Sequence, residues 1–200
     1  MVYNIHQGIV LRTYIPYKQK LSVLDAELGR IDCIPQNKKI ADRLFHGAYI
    51  SYVVKPWGMH YIAYDISLLE GPTYLSQKDF LFFHHLLELC FYFLPVHSQE
   101  RPIFELVKIA YTHPKMLRTE LSQKIFLCHF FRYLSIYPGN IHSYSASFFR
   151  LISGPFDSKV NAEDEKKVHL DLQRWLLSCV STHPYAQRIK TMDFLKSEHE

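Results

Sequence analysis

Tyr3-Asn-Ile-His-Gln-Gly-Ile-Val-Leu-Arg12, the link Thr13 to Lys20, and Leu21-Ser-Val-Leu-Asp-Ala-Glu-Leu-Gly-Arg-Ile-Asp-Cys-Ile-Pro35 decide the fold of this chain. Ile9, Val10, Leu11, Leu21, Val23, Leu24, Ile31 and Ile34 are apolar and mostly branched, the composition of strands. Leu28-Gly29-Arg30 interrupts two of the runs at hairpin spacing. Three successive strands are therefore expected, and the rest of the chain must complete their sheet or pack on it.

Downstream, Gln36 to Gly47 is polar and basic and reads as a short helix or an irregular connection. Ala48 to Lys55 reads as a fourth strand, Pro56-Trp-Gly-Met59 as its turn, and His60 to Ser67 as a fifth strand. Five strands with one long connection between the third and fourth fit a small barrel of the OB type. The period changes after Gly71-Pro72. Ser76-Gln-Lys-Asp79 resembles a capping box and opens a helix that Pro95 ends. That helix is apolar nearly all round, which suits the centre of a bundle. Further helices are expected from Pro102 to about Tyr111, from Lys115 to Tyr137, within Ser143 to Ile152, and after Asn161 with Glu163, Asp164 and Glu165 in the first turn. The expected class is α+β: an N-terminal five-stranded OB-fold barrel over residues 1–72, then an all-α helical domain over residues 73–200.

Of the 200 residues, 48% are apolar and 15% aromatic, enough to build cores and to argue against disorder. No apolar run reaches the roughly 18 residues of a membrane span, and Met-Val-Tyr-Asn-Ile-His lacks the features of a signal peptide. No membrane association and a cytoplasmic location are the expectations. Cys33, Cys90, Cys128 and Cys179 stand far apart, as buried thiols of a reducing compartment do.

Among sites for chemistry, the sequence carries no Gly-x-Gly-x-x-Gly, no phosphate-cradling loop and no Gly-x-Ser-x-Gly elbow. Its 12 histidines never fall at His-x-x-x-His spacing, and neighbours such as His84-His85 point about 100° apart on a helix. No catalytic residue, metal or cofactor is expected. Basic residues offer more. Arg12, Lys18, Lys20, Lys38, Lys39, Arg43 and Lys55 interleave with Tyr14, Tyr17 and Trp57, and cations with stackable rings are what grooves for single strands use. The same residues would also serve as solvated loop ends. In the second half, Lys108, Lys115, Arg118, Lys124, Arg132 and Arg150 face one acid, Glu120. Lys124, Cys128 and Arg132 share a helical face, where a basic rim beside apolar residues could receive an acidic peptide or a DNA backbone.

Gly8-Ile-Val-Leu-Arg12, then Pro16-Tyr17, then Leu24-Asp-Ala-Glu-Leu-Gly-Arg30-Ile31 resembles the N-terminal signature of the bacterial recombination mediator family RecO. The order of a basic connection, two further strands, a helical part and a terminal apolar-basic segment, Arg188 to Leu195, is similar too. The resemblance implies an OB-fold domain joined to a helical domain. It also implies binding of single- and double-stranded DNA, annealing, and loading of the RecA recombinase with the partner RecR. The implied DNA contacts are Arg12, Tyr17, Lys18, Lys20, Lys38, Lys39, Arg43 and Trp57. For the acidic, Phe-ended tail of single-strand-binding protein the implied dock is Lys115, Arg118, Lys124 and Arg132. Many members carry a four-cysteine zinc element where Ile136-Tyr137-Pro138 stands here; Ser143, Ser145 and Ser147 follow instead, so no zinc is expected. The turn after Tyr17 lacks the family's usual acid, and the basic connection keeps only Lys38, Lys39 and Arg43. A RecO-like interaction scaffold that has lost DNA binding is the alternative.

Overall fold

Branched apolar residues build five strands: β1 (Ile5–Thr13), β2 (Leu21–Asp25), β3 (Gly29–Pro35), β4 (Tyr49–Trp57) and β5 (His60–Glu70). The computed structural model describes residues 4–14, 19–72, 76–137, 144–155 and 164–189. The strands pair in the order β1-β2-β3-β5-β4, and β4 returns to β1, so the sheet closes into a barrel. Every pair is antiparallel except β3 with β5. A parallel pair needs a crossover, which the stretch from Gln36 through β4 supplies. It includes a single helical turn, α1 (Lys38–Ala41), whose N-terminus is capped by the Asn37 side chain. Helices follow, so the architecture is the expected α+β one, a five-stranded OB-like barrel ahead of α-helices.

The β4–β5 turn is tighter than the sequence suggests. Pro56 was expected to open it, yet pairing continues through Pro56↔Tyr61 and Trp57↔His60. The loop is only Gly58-Met59, with Gly58 at φ +60°, a backbone that glycine adopts without strain. Among the described residues the pairing of β4 with β1 ends at Val53, so the proline, which has no N–H to donate, interrupts no described ladder bond with β1.

Val10, Leu21, Val23, Ile31, Cys33, Ala48, Ile50, Tyr52, Ala63 and Ile66 fill the barrel. One buried carboxylate organises its mouth. Asp25 is paired with Gly8 on one side and Gly29 on the other. Its Oδ1 accepts the backbone N–H groups of Glu27 (2.8 Å) and Leu28 (2.7 Å), which fixes the β2–β3 turn. Its Oδ2 accepts the Tyr52 hydroxyl of β4, and His6 Nδ1 lies 3.3 Å from the same oxygen. Burial, and then the neighbouring Asp25, hold the Tyr52 hydroxyl well above its ordinary range, so it remains a donor. Both glycines are required by close approach. A Cβ on Gly8 would fall 2.5 Å from the Val23 side chain and 3.1 Å from the Tyr52 hydroxyl. One on Gly29, at φ +71°, would fall 1.6 Å from the Ser98 carbonyl oxygen.

By contact the chain divides into Met1–Tyr111 and Thr112–Glu200. The change from strand to helix follows Glu70, near the expected boundary at residue 72, but the next two helices fall almost wholly in the first unit. The first of them, α2 (Gln77–Phe93), is capped by Ser76, whose hydroxyl accepts the Asp79 N–H. It packs on β1 and covers the outer residues Ile9, Leu11 and Leu24. The second, α3 (Arg101–Thr112), buries Phe104, Val107 and Tyr111, and the Tyr111 ring lies 5.5 Å from that of Phe83. The nearly all-apolar α2 is thus a cover for the barrel. Phe80 and Leu81 at its start are exposed.

In the second unit a 3-10 turn (Pro114–Leu117) precedes α4 (Glu120–Tyr133), so the single helix expected from Lys115 is split. Thr119 causes the split by capping α4, its hydroxyl accepting the Ser122 N–H. Here α4 is the buried central helix. Helix α5 (Ala146–Ser153) and helix α6 (Glu165–Ser181) pack on it, with Trp175 of α6 edge-on to Phe131 at 6.2 Å. Asp164 begins α6 without a side-chain cap. Asn161 and Glu163, expected in that first turn, lie outside the described residues, as do residues 138–143, 73–75 and 190–200. Among the described residues no helix is long and apolar enough to cross a membrane.

Two stability predictions follow from the barrel unit. Tyr52→Phe removes a charge-assisted hydrogen bond from a buried carboxylate and should cost about 2 kcal/mol; an unchanged urea midpoint would contradict the role given to Asp25. The second concerns acid. Burial pushes the imidazole of His85, which is fully buried on α2, down to about 4. An unfolded histidine binds its proton near 6.5, so between these values the unfolded state holds more protons and stability rises with pH. The contribution, on the order of 3 kcal/mol, is complete above about pH 6.5 and lost as pH falls toward 4. Urea midpoints across this range should slope for the native chain and flatten for His85→Gln.

Candidate nucleic-acid interface

The outer wall of the barrel carries a chain of alternating cations and rings. It starts from a bulge: Val10 pairs with Val23 but Arg12 pairs with Ser22, so β1 spends one extra residue there. A regular strand would put Arg12 on the same side as Val10, in the barrel core. The bulge turns it outward, a known use of such insertions. The Arg12 guanidinium lies 5.2 Å from the Tyr14 ring centroid and 5.1 Å from that of Phe91 on α2. Lys20 reaches the Tyr14 ring at 5.6 Å, because the Tyr14 N–H donates to the Lys20 carbonyl across the β1–β2 connection. Arg30 lies 4.4 Å from the Phe91 ring.

The three cations are not equivalent. Lys20 makes a 2.8 Å ion pair with Asp32. Arg30 donates through one terminal nitrogen to the carbonyls of Phe91 and Leu94, at the C-terminus of α2, where a cation also meets the negative end of the helix dipole. Its backbone carbonyl accepts from the His97 N–H at 2.7 Å, so Gly29-Arg30 is the seat for the end of α2 and the segment after it. Arg12 is different. Its guanidinium has no hydrogen bond or ion pair among the described residues, only the two rings.

The other residues expected to meet DNA are scattered. Lys38, Lys39 and Arg43 are exposed in and after α1, beyond the C-terminal end of β3. Trp57 is 57% exposed at the β4–β5 turn. The pairing Cys33↔Tyr61 sets that turn on the N-terminal side of Cys33, away from α1. On the same hairpin Lys55 lies 5.2 Å from the Tyr64 ring. Tyr17 and Lys18 lie outside the described residues. The barrel therefore brings together Arg12 and Lys20, puts Lys38, Lys39 and Arg43 beyond the C-terminal end of β3, and sets Trp57 toward the other end of that strand.

The basic rim expected on α4 needs correction. Lys115 and Arg118 are exposed, but Lys124 is only 2% exposed. Its ammonium pairs with Glu120 one turn earlier and stands 3.2 Å from His169 Nδ1 of α6. Spacing of four placed Lys124 beside Cys128 and Arg132, but Lys124 and Cys128 are buried, and only Arg132, at the end of the helix, stays exposed. Arg132 donates to the Ile152 carbonyl at 2.6 Å and so closes the C-terminus of α5, as Arg30 does for α2. The opposite end of α5 is held by Asp171, which accepts the Ser145 N–H at 3.0 Å.

Two contributors were not legible in the sequence. Phe91 is one aromatic among many in an apolar helix, and no spacing marks it as the ring shared by Arg12 and Arg30. His46 sits in the loop hydrogen-bonded to β1, and burial and then the nearby Arg12 charge lower its proton affinity. The four cysteines are free and buried, and burial raises each thiol, that of Cys33 to about 12, which removes their nucleophilicity. Among the described residues no three His, Cys, Asp or Glu side chains are grouped to hold a metal ion.

The geometry defines a class: a closed OB-like barrel with a half-buried, ring-flanked arginine on its outer wall. No family model matches the chain, and no curated protein matches it.

Lys124→Glu tests the correction on α4. It puts a second carboxylate beside Glu120 inside the second unit and should cost about 3 kcal/mol or more, the range for breaking a buried pair. Chemical denaturation measures it; a cost below about 0.5 kcal/mol, usual for an exposed site, would return Lys124 to the surface.

Proposed function

We propose that this chain is a non-catalytic recombination mediator of the RecO type that binds single-stranded DNA on the outer wall of its barrel. The observation that carries the reading is the Arg12 guanidinium, held against two aromatic rings with its donors unspent among the described residues. A phosphate oxygen satisfies such donors, and a base can stack on neighbouring rings. The fold supports the same reading, since barrels of this kind commonly present their walls to single strands. So does the sequence signature: Gly8, Asp25, Gly29 and Arg30, which carry the resemblance, are the residues that close the turn and seat α2.

In this reading the chain binds single- and double-stranded DNA, promotes annealing and, with RecR and the tail of single-strand-binding protein, helps to load RecA in the cytoplasm. Lys38, Lys39, Arg43 and Trp57 are secondary DNA contacts. A scaffold that docks peptides on Lys115, Arg118, Lys124 and Arg132 is the weaker reading, because Lys124 and Arg132 are engaged within their own unit.

Fluorescence anisotropy with a labelled oligothymidylate tests the proposal. Affinity should fall linearly with salt on logarithmic axes, by about 0.7 slope unit for each phosphate neutralised on a single strand. Absence of binding at about 50 mM salt, where phosphate contacts are strong, would overturn it.

A further inference from the structure

The outer wall that carries Arg12 also carries an acid. Arg12 pairs with Ser22 and Ser22 with Asp32, and residues paired directly across a sheet stand on one face, so the three form a row from β1 to β3. Two strand spacings, roughly 10 Å, separate the ends of that row. Lys20 crosses the gap. Its ammonium lies 5.6 Å from the centroid of the Tyr14 ring, beside which Arg12 also lies, and makes its 2.8 Å ion pair with Asp32 Oδ2. The other carboxylate oxygen, Oδ1, is buried with no hydrogen-bond partner among the described residues, and so is the hydroxyl of Ser22, its neighbour in the row. Arg30, two residues before Asp32 on β3, is turned to the α2 carbonyls. Among the described residues Lys20 is thus the only ion-pair partner that Asp32 has.

We infer that Asp32 sets the strand affinity of this wall: its carboxylate occupies Lys20 in the place a phosphate would take, and leaves Arg12 as the cation that meets the strand. The inference rests on the proposed DNA-binding function and assigns a residue that limits it. An ammonium is a point charge that a carboxylate and a phosphate satisfy alike, so two anions compete for Lys20. The competition is unequal. The barrel holds Asp32 at contact distance, with its side chain only 14% exposed, whereas a strand must be brought from solution at a cost in freedom of motion. If Lys20 moved to a phosphate, Asp32 would keep no ion-pair partner among the described residues, and an unpaired carboxylate in a largely buried position is costly. Lys20 therefore stays on β3. A strand that lays a phosphate on Arg12 and passes the Tyr14 ring meets a neutral pair there instead of a second cation. Lys20, one of the DNA contacts that the family resemblance implies, is in this geometry held back from the strand.

Anisotropy of labelled oligothymidylate with the full chain, titrated against salt, reads this restraint. Asp32→Asn keeps the shape of the side chain and removes its charge. It should bind more tightly than the native chain and steepen the salt slope by about 0.7, one further phosphate on a single strand. Lys20→Gln should keep the native slope, and Lys20→Gln/Asp32→Asn should return to it, because the gain needs the freed ammonium. A native slope in Asp32→Asn overturns the inference and leaves the DNA-binding proposal standing. So does a gain that survives in the double variant, which would make Asp32 a general repulsive charge, and so does a slope lowered by Lys20→Gln alone, which would put Lys20 on the strand already. No binding by the native chain or by Asp32→Asn overturns both readings; binding by Asp32→Asn alone upholds the restraint on Lys20 and overturns the function proposed for the native chain. Should Asp32→Asn fail to fold, Lys20→Gln decides alone, an unchanged slope upholding the inference and a lowered one overturning it.

Discussion

A buried carboxylate must be given donors on every side, and Asp25 is where this chain meets that requirement. Its two oxygens gather a turn, a tyrosine from β4 and a histidine from β1. The two glycines beside it answer close approaches of different kinds: a Cβ on Gly8 would crowd the Tyr52 hydroxyl that Asp25 accepts, and one on Gly29 would strike the Ser98 carbonyl. Once the turn is closed, Gly29-Arg30 presents a carbonyl and a guanidinium to the end of α2, and the helix is seated. The phenylalanine that Arg30 anchors is the one against which Arg12 lies. Core chemistry at one end of a strand thus sets the position of a surface cation at the other.

Arginine has two uses in this molecule, and exposure alone does not separate them. Arg30 and Arg132 close the carboxyl ends of helices, where the guanidinium satisfies carbonyls that the helix leaves unpaired. Arg12 meets rings instead of carbonyls and, among the described residues, retains its donors. A count of basic residues treats all three alike, which is why charge statistics here say less than hydrogen-bond partners do.

Much of the fold was legible because it follows from local pattern. Branched residues at Ile9–Leu11, Leu21–Leu24 and Ile31–Ile34, the glycine turn, the Ser76 cap and the Pro95 stop each act over a few residues. What was not legible depended on tertiary choice. An apolar helix is compatible with a bundle or with a barrel wall, and α2 took the wall because β1 and β2 leave Ile9, Leu11 and Leu24 uncovered. Lys124 reads as a rim residue until α6 is known to lie over it. The site was legible in part: Arg12 and Lys20 belonged together, but their common ring, Phe91, lies 79 positions beyond Arg12 in the chain, with nothing local to mark it. The bulge that turns Arg12 outward is a one-residue difference in register, invisible in a composition that reads as uninterrupted strand.

Closure of the barrel also restricts how anything can recognise this half of the molecule. Each of the five strands is paired on both sides somewhere along its length, although among the described residues β3 covers only Tyr61–Ala63 of β5 and the rest of that strand is paired by β4 alone. Closure thus shortens the template for recruitment by strand addition, a frequent way of capturing extended peptides, and with it a common route to edge-to-edge aggregation. Side chains standing off the wall offer recognition of another kind, where an exchange of single residues can alter the partner without disturbing the scaffold.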